Sequence, residues 1–282
     1  MRVKLWGCRG SVPTPGPDTV TYGGNTSCVE VSLGSDTVLV LDAGTGIRPL
    51  GFELLERGIR RIHLCLTHLH LDHLEGLRFF GPVWDEQVAL DVWGPPSHLL
   101  SLRERIARSF SPPLFPLDLR DIPAKVEFHD VPRRPWTIGD FSIAADLVLH
   151  PGPTVGYRIE ANGASFAYLP DHEPALAGEI AGKPIDWISG AGVASGVDAL
   201  IHDAQYFEDE YENHIGWGHS SVADAVAFAF AVGARRLLLF HHEPRHGDRL
   251  LERLEDRARE LADGSGAAPP TLAHEGMVFE LS

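Results

Sequence analysis

Cysteine is scarce and scattered: Cys8, Cys28 and Cys65 are the only three in 282 residues. An odd number without a Cys-x-x-Cys pair argues against both a disulfide framework and a cysteine-built structural zinc site. Cys65 sits in an apolar run and reads as a small core residue, whereas Cys8 is expected beside a site mouth. Positive charge is also short, with 24 Lys and Arg against 39 Asp and Glu and a formal net charge of −15. A long polyanion held through its backbone needs a basic face, and this composition provides none. The doublets Arg60-Arg61, Arg133-Arg134 and Arg235-Arg236 read as solvated loop or strand-end charges. No stretch reaches the ~18 uninterrupted apolar residues that span a bilayer. The opening Met1-Arg2-Val3-Lys4-Leu5-Trp6-Gly7 lacks the apolar region of a secretory signal. Cytoplasmic residence, with no membrane partner, is the expectation.

Apolar residues make up 44% of the chain, ample for a core. Short β-rich runs predict strands near 2–6, 28–33, 37–42, 62–66, 88–93, 126–129, 141–149, 155–160, 165–169, 198–202, 236–240 and 277–281. Helical patterns fall near 48–57, 73–79, 98–109, 221–232 and 246–262. The fourth is the clearest: Ser220 or Ser221 offers an N-cap, Asp224 suits the first turn, Gly233 suits the stop, and Val222, Val226 and Phe230 form a core face. Alternating Arg and Glu along 246–262 read as solvated surface. The Pro-rich segment from Ser111 to Pro135 reads as a lid or as surface packing, and residues 263–270 as a connector. No linker divides the chain, so residues 1–282 are expected to form a single domain.

One segment concentrates the chemistry. Thr67-His68-Leu69-His70-Leu71-Asp72-His73 follows the apolar run Ile62-His63-Leu64-Cys65-Leu66. Imidazole and carboxylate are the ligand types of zinc, manganese and iron. At the end of a strand, His68 and His70 can point to one side while Asp72 and His73 swing toward a second ion.

His-x-His-x-Asp-His is the hallmark of the metallo-β-lactamase superfamily, and the resemblance covers about residues 1–247. Leu39-Val40-Leu41-Asp42-Ala43-Gly44 resembles the strand and turn that precede the hallmark, and Leu147-Val148-Leu149-His150, Ala167-Tyr168-Leu169-Pro170-Asp171 and Leu237-Leu238-Leu239-Phe240-His241-His242 resemble the superfamily's later motifs, in the expected order. Within it the chain is most similar to ribonuclease Z and the cyclic-nucleotide and cyclic-phosphate phosphodiesterases. Its opening Leu5-Trp6-Gly7-Cys8-Arg9-Gly10-Ser11 resembles their glycine-rich turn. His202-Asp203-Ala204-Gln205 resembles the His-Glu-Ala-Thr segment of ribonuclease Z, with Asp one methylene shorter than Glu. Gly218-His219-Ser220-Ser221 resembles its Gly-His-Ser-Thr.

The resemblance implies an α/β fold, a four-layer αββα sandwich with two mixed β-sheets. It implies two divalent ions, zinc first with manganese or iron as alternatives. His68, His70 and His150 would hold one ion; Asp72, His73 and His241 (alternatively His242) would hold the other, with Asp171 bridging. Asp42 would support the ligands from behind, or simply cap a turn. A shared hydroxide would be the nucleophile, and His219, oriented by Asp203, would protonate the leaving alkoxide.

The implied activity is a metal-dependent phosphodiesterase acting on a small, cyclic phosphoester, in chains that often pair as homodimers. A ribonuclease Z-like role is the first alternative. It is disfavoured by the acidic composition and by the lack of a long Gly/Pro-rich insertion for gripping transfer RNA. A carboxylic ester or lactone hydrolase and a non-catalytic metal-binding sensor are the others.

The substrate-binding residues are unknown from sequence. Gly23-Gly24-Asn25-Thr26-Ser27 offers backbone N–H groups to a phosphate, or is a plain turn. Phe207, Tyr211 and Trp217 stack a base or pack the core. His63 reads as a core or edge residue and His202 as structural. His172 is expected to flip away from the site, and His214 and His246 are loop candidates for substrate contact. His98, His129 and His274 have no partner pattern.

Overall fold

The structure, a computed structural model, describes all residues except 35, 36, 175, 177 and 265. Ser265, inside the expected connector, thus lies outside the described residues. The chain first lays down Arg2–Gly7 (β1), Cys28–Ser32 (β2), Val38–Leu41 (β3), Arg61–Cys65 (β4), Ala89–Gly94 (β5) and Lys125–Asp130 (β6). A second set follows: Trp136–Ile138 (β7), Phe141–Leu147 (β8), Val155–Ala161 (β9), Ala164–Leu169 (β10), Ala199–Asp203 (β11), Leu237–Phe240 (β12) and Thr271–Leu272 (β13). Val278–Glu280 (β14) returns to the first set. The two sheets run β14-β1-β2-β3-β4-β5-β6 and β13-β12-β11-β10-β9-β8-β7. Each is mixed, with β3 to β6 parallel in one and β10 to β13 parallel in the other.

Side-chain alternation explains the layers. In β3, Leu39 and Leu41 face the second sheet, where they meet Tyr157, Phe166, Tyr168, Ile201 and Phe240. Val38 and Val40 face outward, with Ile62 and Leu64, onto Ile47, Leu50 and Leu54 of helix Ile47–Glu56 (α1). The second sheet likewise turns Leu200, Leu237 and Leu239 outward. They pack beneath the helices Val222–Val232 and Asp248–Ala262, numbered α5 and α6 after Leu102–Ala107 (α2), Ala191–Ala194 (α3) and Glu208–Tyr211 (α4). Strands buried on both faces must be apolar throughout, which is why they read as unbroken runs. The result is the four-layer αββα sandwich with two mixed seven-stranded sheets.

The expected strands lie within two residues of their sequence positions. The short β7 and β13 carry too little pattern to be found. The helix expected at 73–79 is instead two 3-10 turns, Leu71–His73 and Glu75–Phe79. Its backbone is spent elsewhere: the Ala43 N–H donates to His73 O, and the Gly76 N–H donates to Ala43 O. A side chain on Gly76 would strike Gly44 O, so the two loops touch backbone to backbone. α2 starts only at Leu102, where Ser101 and Glu104 form a capping box. In α5 Ser221 is the cap and Gly233 the left-handed stop, but Phe230 is exposed and Phe228 takes the core position. The Pro-rich segment is anchored by Phe110 and Leu119, and Phe115 packs among Phe79, Trp84 and Phe110, so it is surface packing.

Parallel strands all end on one edge of the sandwich, and Asp42, Thr67–His73, Asp171, Asp203 and His241 follow or close strand ends there. Two non-glycine residues at these ends, Asp42 and His241, have φ near +60°. Left-handed backbone costs such residues about 1 kcal/mol or more, and at functional sites it persists because it aims a side chain.

Candidate metal centre

Asp42 is the foundation of the centre. It is fully buried, and its carboxylate accepts the Thr67 N–H (2.7 Å), the Tyr168 hydroxyl (3.1 Å) and His73 Nδ1 (2.8 Å). The Thr67 hydroxyl lies 2.9 Å from Asp42 Oδ2 and 3.1 Å from His68 Nδ1. With its proton given to Asp42, that hydroxyl accepts from His68. Asp42 thus directs the Nε2 lone pairs of both His68 and His73 away from itself.

Two other rings are fixed in the same way. His150 Nδ1 donates to Gly218 O (2.8 Å), and His241 Nδ1 donates to the side-chain oxygen of Gln205 (3.0 Å). Gln205 is held in turn by Glu243 (2.7 Å). Glu173, also buried, accepts the Gly218 N–H (2.8 Å), the Gly216 N–H (2.9 Å) and the Tyr211 hydroxyl (2.7 Å), so it sets the loop that sets His150. Neither Gln205 nor Glu173 stands out in the sequence. Their partners are 30 or more positions away, and an isolated Gln or Glu carries no spacing signal.

The Nε2 atoms and carboxylates so aimed converge. His68, His70 and His150 offer ligand atoms within 4.8 Å of one another, as do Asp72, His73, Asp171 and His241. His70 Nδ1 and His150 Nε2 are 3.1 Å apart. Asp171 lies between the groups, 3.8 Å from both His68 and His150 on one side and 3.0–3.2 Å from His73 and His241 on the other. Asp72 approaches His73 and His241 at 3.2 Å and accepts the Ser11 N–H (2.8 Å). His242 stays outside: it donates to Ala273 O (2.7 Å) and stacks edge-on against Tyr22. The left-handed turn at His241 makes that choice.

Polar satisfaction fails here in an informative way. His68 Nε2 is buried without a hydrogen-bond partner, and His73 Nε2 and Asp171 Oδ2 face each other at 3.0 Å without hydrogen-bond geometry, a condition native interiors avoid unless an ion or water completes it. Burial pushes the His68, His70 and His150 pKa values down, so these rings are neutral lone-pair donors. Burial opposes charge on His73 and His241 too, but Asp171 and Asp72 outweigh it. They hold His73 well above its usual value and His241 at about 9. Burial likewise works against the Asp72 and Asp171 carboxylates, yet those imidazoles hold both well below the usual range. Protons thus supply the positive charge that the carboxylates require. A divalent pair fits the donor set.

Beside the cluster, Asp203 accepts His219 Nδ1 at 2.7 Å, so the shorter Asp still reaches. The Ser220, Gln205 and His172 N–H groups fix the same carboxylate. The His219 ring stacks on His241 (4.8 Å) and sits edge-on to His150 (5.1 Å).

Other candidates resolve differently. Cys8 is fully buried, its thiol against Tyr22 O, and so lies away from any mouth. Asn25 in the glycine-rich run spends its N–H groups on Glu275, and Thr26 and Thr45 exchange theirs, so that run is a turn. Phe207 and Tyr211 pack inward, leaving Trp217 exposed. His172 turns beneath the site to meet His202 Nε2 (2.8 Å). His246 is buried against Glu210, and His214 donates to Glu210 O. His63 and His129, read as unrelated, both approach Asp91.

Replacing Asp42 by Asn turns one of its two acceptor oxygens into a donor, so Thr67 and His73 can no longer both be held, and zinc affinity by chelator competition falls about 10–100-fold. Buried His202 carries a second prediction, because burial, opposed by Asp203, brings its pKa to about 4. The unfolded ring titrates near 6.5, so its contribution is intact above that pH. It is lost as pH falls toward 4, by up to about 3 kcal/mol. Urea unfolding of metal-free protein at pH 7 and 4.5 shows this loss, and His202→Gln shrinks it.

A family model described as the beta-lactamase superfamily domain matches residues 37–242. A ribonuclease Z of Haloarcula marismortui is 26% identical, covering 98% of this chain and 96% of that protein. The metallo-β-lactamase fold protein YhfI of Bacillus subtilis superposes with a TM-score of 0.71 at 19% identity, covering 99% and 98%. A diphosphatase from the PhnP family does so with a TM-score of 0.69 at 19% identity, covering 100% and 98%. With that domain spanning most of its length, this chain belongs to the β-lactamase superfamily.

Proposed function

We propose that the protein is a dinuclear metal-dependent phosphodiesterase in which residues 1–282 form one domain, acting on a small or cyclic phosphodiester such as a cyclic nucleotide. His68, His70 and His150 would hold one divalent ion; Asp72, His73 and His241 would hold the other, with Asp171 serving both. Zinc suits these donors, and manganese and iron share them. Bound there, the ions supply an activated water and offset charge on the phosphate oxygens.

The observation that carries the reading is the Asp203–His219 pair, 2.7 Å apart against the cluster. Its Nδ1 committed to a buried carboxylate, His219 is left with Nε2 as the atom that can deliver a proton. An alkoxide leaving from a phosphodiester needs that proton; a lactone or lactam has less use for a dedicated donor at this place. Asp203, held by three backbone N–H groups, supports the charged ring without moving.

The acidic balance, 24 Lys and Arg against 39 Asp and Glu, supports a small substrate over a long polyanion. Among the described residues the buried Arg9 guanidinium donates to the carbonyls of Gly23, Glu243 and His246, and its second terminal nitrogen is buried without a partner. Identity to a ribonuclease Z along nearly the whole chain favours a second reading, an RNA phosphodiesterase.

Assays with zinc or manganese restored separate the readings: bis-p-nitrophenyl phosphate and cyclic nucleotides are turned over, and a transfer-RNA precursor, a lactone and a β-lactam are not. His219→Ala lowers the rate on cyclic nucleotides by about 10²–10⁴ and much less on the nitrophenyl ester, whose leaving group needs no proton. Equal losses on both would remove the proton-donor role.

A further inference from the structure

Away from the catalytic edge, three parallel strands carry a second polar constellation. The register places His63 of β4 opposite Asp91 of β5, and Asp91 opposite Glu127 of β6. His129 stands two residues further along β6, on the face of Glu127. This rung lies on the side turned toward the second sheet, since His63 is in register with the inward-facing Leu39. Along β4 it is five residues from His68, about 16 Å at ~3.3 Å per residue, so it shares no side chain with the catalytic cluster.

Asp91 bridges the group: Oδ1 is 2.9 Å from His129 Nε2, and Oδ2 is 3.4 Å from His63 Nδ1. Glu127 Oε2 is 4.0 Å from the same His129 nitrogen. Ligand atoms of Asp91, Glu127 and His129 all lie within 4.8 Å of one another. His63 supplies the independent sign. Its side chain is 8% exposed, yet Nδ1 is buried, has no hydrogen-bond partner and points at Asp91. Burial lowers the His63 pKa more than Asp91 raises it, leaving a neutral ring with a lone pair to give. At the other end Glu127 is 77% exposed, so an ion can enter from solvent.

We propose that His63, Asp91, Glu127 and His129 form a third divalent-ion site, for a transition ion of the zinc, nickel or copper(II) class. Two imidazoles with two carboxylates suit such ions better than magnesium or calcium. β6 is the edge strand of its sheet, with no residue of the strand fully buried. An ion at this place joins it to β5 and β4 through side chains, in addition to the backbone ladder. The site is independent of the catalytic reading and holds its ion whether or not the protein is a phosphodiesterase.

The test counts ions in the zinc-loaded protein. After free metal is removed, elemental analysis gives three zinc per wild-type chain and two in Asp91→Asn, with bis-p-nitrophenyl phosphate hydrolysis of the variant within about twofold. Copper(II) added to protein holding two zinc quenches Trp93, whose ring stacks on His129 at 4.3 Å, in the wild type and not in the variant. Should Asp91→Asn fail to fold, His129→Gln and the exposed Glu127→Gln carry the same comparison. A wild type that retains only two ions and shows no Trp93 quenching, or variants that bind the third equally well, would overturn the proposal.

Discussion

A protein interior rarely tolerates ionised groups that lack partners, and this one collects two carboxylates and five imidazoles at the edge of its sandwich. Burial alone would neutralise the acids, and mutual repulsion would empty the rings of protons. Neither happens uniformly: Asp72 and Asp171 stay ionised, His73 and His241 take on charge, and His68, His70 and His150 give it up. Positive charge beneath and between the carboxylates is the requirement from which the surrounding architecture follows. Asp42, Gln205 and Glu173 fix the rings so that the requirement is met at the centre.

The scaffold supplies that precision cheaply. Both sheets end their parallel strands on the same edge, and the rigid inter-sheet core behind them keeps the loops in place. Where a strand must turn abruptly, the backbone adopts left-handed geometry at Asp42 and His241. Gly76 permits the loop after β4 to lie directly on the loop after β3. The Asp203–His219 pair uses the same logic, since Asp203 closes β11 and is locked by three backbone N–H groups before it meets His219.

Much of this was legible in the primary structure, for reasons specific to particular residues. Doubly buried strands such as Leu237–Phe240 announce themselves as apolar runs, and a polar residue directly after such a run stands out. His68, Asp171 and His241 sit at those junctions and His70, Asp72 and His73 just beyond the first, whereas His150 follows the exposed end of β8, where Leu147 and Leu149 are open to solvent. The choice between His241 and His242 was not legible, because a single backbone φ decides it. Nor was the support from Thr67, Tyr168, Gln205 and Glu173, which depends on contacts across the fold. Phe228 replaced Phe230 because its ring packs against His172 and His202, partners absent from any helical periodicity. His63 and His129 looked solitary because Asp91, which joins them, becomes their neighbour only through strand pairing.

The most direct trial of a two-ion centre is anomalous diffraction from crystals grown with zinc or manganese. Two peaks are expected about 3.5–4 Å apart, one enclosed by His68, His70 and His150 and the other by Asp72, His73 and His241, with Asp171 reaching both. A single peak, or none, at full occupancy of the protein would contradict the account.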